Sequence, residues 1–312
     1  MISSFFGKTK PINYIILLTF IFVFYWFVHF IIFDKWYDTL ELVLKTAVLA
    51  VLFFSLLILN FIVKRNKITG SHSYAILFFT MLLLVFPQTL LDSNSVMCTF
   101  FLLLAMRRLI SVRSLKDIRV KIFDATIWIV VASIFYDWAL IYLIVVYMAI
   151  NIYEPKNLKN WLAPLAAVFT VFMIGYCVLI LLNKTNFLWE HYRFDYMFDK
   201  TYFLSWMNSS KLALYIIGIS IVCLVTFLRV GKAGFGKVAT LRLIAVLFIL
   251  GLLLKVFITT PGNYPIMVTF FPAAIFLAKY VESIKKTNIR EIVLMLSIFI
   301  PFMVFFIGLV IG

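Results

Sequence analysis

The sequence predicts an all-α fold: a polytopic transmembrane helical bundle of about eleven spans, N-terminus cytoplasmic, with no soluble domain. Three observations carry that expectation. Hydrophobic residues make up 65% of 312 positions, and mean hydropathy is +1.10. Charged residues amount to 13%, about half the share in an ordinary globular protein. The Lys and Arg residues fall in short clusters between apolar runs, as charges that orient membrane helices do. A water-soluble fold could not hide this much apolar surface, so residues 1–312 read as one transmembrane domain.

About 20 apolar residues cross the hydrocarbon core, fewer where a helix pair dips in together. That ruler predicts spans at Ile12–Phe33, Thr46–Val63, Tyr74–Leu91, Val96–Ile110, Ile122–Phe135 and Ala139–Ile152. It continues with Trp161–Leu182, Leu212–Leu228, Leu243–Ile258, Ile266–Tyr280 and Ile292–Ile311. Each must be helical, because hydrocarbon offers no water to free backbone groups. The first run follows Lys8 and Lys10 and lacks a small-residue cleavage site, so it reads as a retained anchor.

With the N-terminus in the cytoplasm, alternation puts 21 of the 28 basic residues on the inner face and six on the outer, with Lys255 inside a span. The segment 122–153 decides the sense of everything after it. One helix of that length would be about 48 Å long, more than a bilayer needs. Two short helices meeting near Asp137 keep the Arg229–Arg242 cluster inside, and are preferred.

The +15 net charge does not point to nucleic acid, because the charges sit in loops and no nucleic-acid module is recognisable. Cys98, Cys177 and Cys223 lie in apolar runs, with no CxxC pair and no histidine nearby. They read as buried thiols, and neither a metal nor a cofactor is expected. Gly231–Lys237 matches the start of a phosphate-binding loop, but Val238 stands where Ser or Thr must hold the metal, so it reads as a basic turn. Lys255 is expected to extend its ammonium to the interface, and Asp124 to open a helix.

Acidic residues segregate oppositely to the basic ones, with eight of thirteen on the predicted outer face. Asp34, Asp38, Asp92 and Asp137 are the candidate catalytic residues, since carboxylates beside a low-dielectric wall serve as bases or bind cations. Solvated loop-tip carboxylates are the plain alternative. The outer segment 183–211 alternates aromatic rings with charges. There Trp189, His191 and Arg193 are candidate substrate contacts, sugar on ring and phosphate on cation; an interfacial aromatic belt is the alternative.

Three passages resemble the C-type glycosyltransferases, polytopic enzymes that take sugars from polyprenyl-phosphate donors at the outer face. They are Pro87–Asn94, leading to a helix ending in Arg107-Arg108; the short helices flanking Phe135-Tyr136-Asp137-Trp138; and Gly262–Pro265 through Phe271–Ala274, which adds Tyr264 as a candidate substrate contact. The Asn60–Lys64 and Lys121–Ala125 passages resemble, more specifically, a polytopic inner-membrane family of gliding Gram-negative bacteria whose function is not settled. The first resemblance implies a bacterial inner-membrane protein acting on a lipid-linked sugar at the periplasmic face. Asp34 or Asp38 would then be the general base, Asp92 and Asp137 would shape the site, and Arg193 would hold phosphate. Its partners would be membrane lipids, a polyprenyl-phosphate lipid among them. The absence of a strong catalytic motif keeps open a structural or assembly subunit of a cell-envelope complex with partner proteins. A transporter or flippase is the third reading.

Overall fold

The computed structural model describes residues 5–195, 197–198, 203–230, 234–259 and 262–311. Its helices in chain order are α1 (Pro11–Phe27, extended by a π-turn Val28–Ile32), α2 (Thr39–Arg65), α3 (Tyr74–Val85), α4 (Ser93–Ser111) and α5 (Ile118–Ala132). They continue with α6 (Leu143–Tyr153, entered through the 3-10 turn Asp137–Tyr142), α7 (Leu158–Leu181), α8 (Asn186–His191) and α9 (Trp206–Val230). The last are α10 (Phe235–Phe257), α11 (Phe270–Ser283, entered through Pro265–Thr269) and α12 (Thr287–Ile311). The only strand pairing among the described residues is two residues long and parallel, β1 (Met197–Phe198) on β2 (Ile258–Thr259).

Every predicted span has a helical counterpart, but they are not alike. Among the described residues, eight helices are long and apolar enough to cross a bilayer; Tyr74–Val85 and Asp137–Tyr153 are shorter apolar segments, and α5 has 15 residues. α3 stops at Val85, not Leu91, because Pro87 has no N–H to continue the ladder and the chain turns through a 3-10 segment. Segment 122–153 breaks into two helices, α5 ending at Ala132 and the next turn beginning at Asp137.

Chain chemistry explains several helix starts. Pro11 occupies the first turn of α1, where its missing N–H costs nothing. Asp38 caps α2 by accepting from the Glu41 N–H at 2.7 Å, Asp92 caps α4 by accepting from the Ser95 N–H at 3.1 Å, and Asn157 caps α7. Asp124 does not open a helix as expected. α5 begins at Ile118, which puts Asp124 in its second turn, where it pairs with Arg108 of α4 at 2.9 Å.

The centre of the bundle is α3, with Tyr74 through Leu84 all buried, enclosed by α11, α12 and α2. α4 packs on α2 and α5, and α5 in turn on α7. Lipid-type surface concentrates on α7 and α12, whose apolar windows are only 11% and 17% buried, against 72% for Pro265–Ser283. Helices apolar on every side yet so little covered by protein require a hydrocarbon surround.

Candidate functional site

Six parts of the chain meet at one end of the bundle, and the turns among them carry Asp34, Asp92, Asp137 and Asp195. The Pro87–Asp92 turn is tied to α1 through His29 Nε2 and the Leu90 carbonyl (3.2 Å), and to α2 through Lys45 Nζ, which donates to the Leu91 carbonyl (3.2 Å) and Ser93 Oγ (2.9 Å). The α5–α6 turn joins through the Tyr136 hydroxyl, which donates to Asp92 Oδ2. The loop before α11 joins through the Tyr264 N–H, 2.6 Å from the same oxygen, while the Tyr264 carbonyl accepts from Ser95 Oγ at 2.8 Å. The segment after α8 joins through the Phe194 N–H, which donates to Asp137 Oδ2 at 3.1 Å.

Asp92 is therefore a hub. Only 5% of it is exposed, and three donors converge on its two oxygens. Burial pushes its carboxyl above the ordinary carboxylate range, against the opposing pull of those hydrogen bonds. The Tyr136 hydroxyl is held well above its usual value, first by burial and then by the neighbouring carboxylate. The ammonium groups of Lys45 and Lys255 lie within electrostatic reach of Asp92. Lys255 does not snorkel as expected: it is 2% exposed, because α10 turns it toward the bundle interior.

The other predicted carboxylates do different work. Asp34, at φ 44° in the turn after α1, is exposed and accepts from Trp36 Nε1 at 3.1 Å. Asp38 is exposed and serves as the α2 cap. Asp137 accepts from the Trp138 and Phe194 N–H groups and so pins the segment after α8. Each of the four engages its own partners. Of the aromatic-segment candidates, Trp189 is 83% exposed. His191 Nε2 lies 2.8 Å from the Ser133 carbonyl, and exposed Arg193 turns its Nε to the Trp189 carbonyl at 3.4 Å. Tyr264 contributes its main chain to the hub. Tyr196, Asp199, Lys200 and Tyr202 of the aromatic segment, and Gly231–Ala233 of the glycine turn, lie outside the described residues.

Beside this hub a cavity of about 300 Å³ opens between α1, the α3–α4 turn, α9 and α12. Its walls are Ile32, Phe33, Val85, Phe86, Phe305 and Leu309, and its polar groups are Gln88, Asn208 and Lys211. Lys211 pairs with no carboxylate among the described residues. Gly308 keeps room for it, since a methyl group there would stand 3.1 Å from Nζ. Apolar walls around one cation and two amides suit a ligand with a hydrocarbon body and an anionic head. A lysine inside an apolar run was a sequence signal for Lys255 alone, since a charge at that depth is costly unless it has a task; Lys45 and Lys211 stand just before predicted spans and carried no such signal.

Length, apolarity and helix count define a multi-pass helical membrane protein. Comparison with protein-family models, with curated proteins and with solved structures finds no significant match for the chain.

Proposed function

We propose that the protein is a bacterial inner-membrane enzyme that binds a polyprenyl-phosphate-linked sugar at its acidic end and transfers the sugar there. The observation that carries this reading is the cavity, in which Lys211 stands among apolar walls without a carboxylate partner among the described residues. Its lining residues Ile32 and Phe33 lead directly into Asp34. A prenyl chain fits the apolar walls, and the phosphate fits Lys211, Asn208 and Gln88. Asp34 takes the base role in preference to Asp38, whose carboxylate already caps α2. Asp34 accepts the proton of the acceptor hydroxyl as its oxygen bonds to the anomeric carbon. The bond from that carbon to the phosphate oxygen breaks, and the polyprenyl phosphate leaves with the electron pair, its charge met by Lys211. Asp92 and Asp137 hold the surrounding turns in place. The positive-inside rule assigns the acidic end to the periplasm.

The test is native mass spectrometry of protein extracted gently from its own membrane, followed by sugar transfer from a labelled polyprenyl-phosphate donor. A bound polyprenyl phosphate that is lost in Lys211→Met, with Asp34→Asn keeping the lipid but losing transfer, supports the reading. Stoichiometric protein partners without such a lipid would replace it by a structural subunit of an envelope complex.

A further inference from the structure

A second cavity, of about 160 Å³, lies at the opposite end of the bundle and is lined by five cations: Lys67, Arg113, Arg229, Lys237 and Lys279. They come from the turn after α2, the turn after α4, the end of α9, the start of α10 and the last turns of α11. Positive residues at this end are expected for orientation, but orientation asks only for charge in the loops. It does not ask that charges from five elements surround one cavity, where each raises the energy of the others.

Little protein charge offsets them. Among the described residues, Glu282 is the one carboxylate within ion-pair distance of any of the five; it meets Lys279 at 2.9 Å and is shared with His72 at 3.6 Å. Arg229 donates to Ser283 Oγ and lies over the Tyr280 ring at 5.5 Å, which fixes its guanidinium without neutralising it. Among the described residues, Lys67, Arg113 and Lys237 face no carboxylate partner.

The start of α10 deepens the imbalance. Its cap residue, Gly234, supplies no side-chain acceptor, no acid stands in the first turn, and Lys237 does. A helix N-terminus carries partial positive charge and unpaired N–H groups, so a lysine there is adverse unless an anion sits against both. Gly236 lets the helix approach Arg113 closely: a methyl group at that position would fall 2.6 Å from Arg113 Nε. The cavity exceeds the roughly 15 Å³ that one water needs.

From this juxtaposition we infer a phosphate-binding site at the basic end, formed by Arg113, Lys237, Lys67 and Arg229 and taking the phosphodiester of an anionic membrane lipid. It is separate from the acidic-end cavity and does not depend on the activity proposed there. Basic pockets between transmembrane helices recognise anionic headgroups through converging charge of this kind.

The test measures retention of phosphatidylglycerol by native mass spectrometry. Purified protein is taken from vesicles of phosphatidylcholine alone or mixed with phosphatidylglycerol. The intact chain should keep phosphatidylglycerol in preference to phosphatidylcholine, and Arg113→Gln and Lys237→Gln should each weaken retention about fivefold. Gly236→Ala, which removes no charge, should weaken it by displacing Arg113. The control Lys156→Gln/Lys159→Gln, at the same end but outside the cavity, should leave retention unchanged. A second arm adds inorganic phosphate to lipid-stripped protein in neutral detergent. Thermal stabilisation that Arg113→Gln abolishes, without phosphatidylglycerol selectivity, would keep the phosphate site and assign it to a soluble anion. Equal losses in the control and cavity variants, or no selectivity and no phosphate effect in folded protein, would overturn the site.

Discussion

The Tyr136 hydroxyl donates to Asp92 Oδ2, joining the α5–α6 turn to the start of α4. The same oxygen receives the Tyr264 N–H, so one carboxylate ties together turns from three distant parts of the chain. Removing the hydroxyl in Tyr136→Phe should cost about 2 kcal/mol, the usual worth of a hydrogen bond to a charged group. Asp92→Ala should cost more, because it strands the Tyr136, Tyr264 and Ser95 donors in a buried place. Thermal unfolding of the purified variants in one detergent measures both.

The raised carboxyl of Asp92 carries a definite sign in pH. Its folded pKa lies above the unfolded one because burial penalises the charge. Its contribution to stability is therefore complete below the ordinary carboxylate value and is lost as pH rises through the folded value. The stability gap between wild type and Asp92→Asn should accordingly narrow from acid toward neutral pH. A gap that widens over that range would show the carboxylate to be stabilised as an anion.

Asp38→Ala should lower stability by about 1 kcal/mol, the typical loss on removing a helix cap, and leave lipid binding at the acidic end intact. Asp34 caps nothing. Asp34→Ala should change unfolding little while abolishing sugar transfer. Unfolding curves read beside transfer rates separate the two neighbours.

Two glycines should respond oppositely to a methyl group. At Gly251 on α10 it would stand 2.6 Å from Thr269 Cγ2 and 3.1 Å from the Tyr142 hydroxyl, so Gly251→Ala should destabilise by about 1–3 kcal/mol through overpacking. Gly175 on lipid-facing α7 has nothing within 4 Å of the added carbon. There alanine should be neutral, or stabilise by up to about 1 kcal/mol through helix propensity. Melting temperatures of the two variants decide it.

Gly308→Ala should fold normally, since the atom it approaches is the free end of the Lys211 side chain. By shifting that amine it should weaken retention of a polyprenyl phosphate several-fold. Native mass spectrometry against wild type checks this.

The apolar runs made the helices legible, because a membrane helix is written as a continuous run and needs no partner to be recognised. Charge clustering likewise sorted the turns into two groups, and the acidic turns do meet at one end while basic turns line a cavity at the other. Helix ends were less legible. Pro87 cut α3 short of Leu91, yet Pro164 and Pro301 lie inside α7 and α12, so proline alone does not mark a terminus. Asp92 stood out as an acid at a turn. Its burial under Tyr136 and the Tyr264 main chain could not be read, because those groups are 44 and 172 residues away. Lys255 misled for the same reason: the depth of a lysine is visible in sequence, but which side of its helix is covered depends on neighbours far along the chain.

The shortness of α3 has an electrical consequence. Its 12 residues span about 18 Å, against a hydrocarbon core of about 30 Å. Lys45, six residues into α2, reaches back to Leu91 and Ser93, so the floor of the acidic end lies below the start of α2. Where water fills such a depression, the membrane voltage falls across a thinner insulating layer, and a charge on the floor lies partway down the drop. One unit charge crossing the whole field changes energy by about 2.3 kcal/mol per 100 mV. An anionic headgroup entering this recess would do electrical work, so the occupancy of the acidic end should depend on whether the membrane is energised.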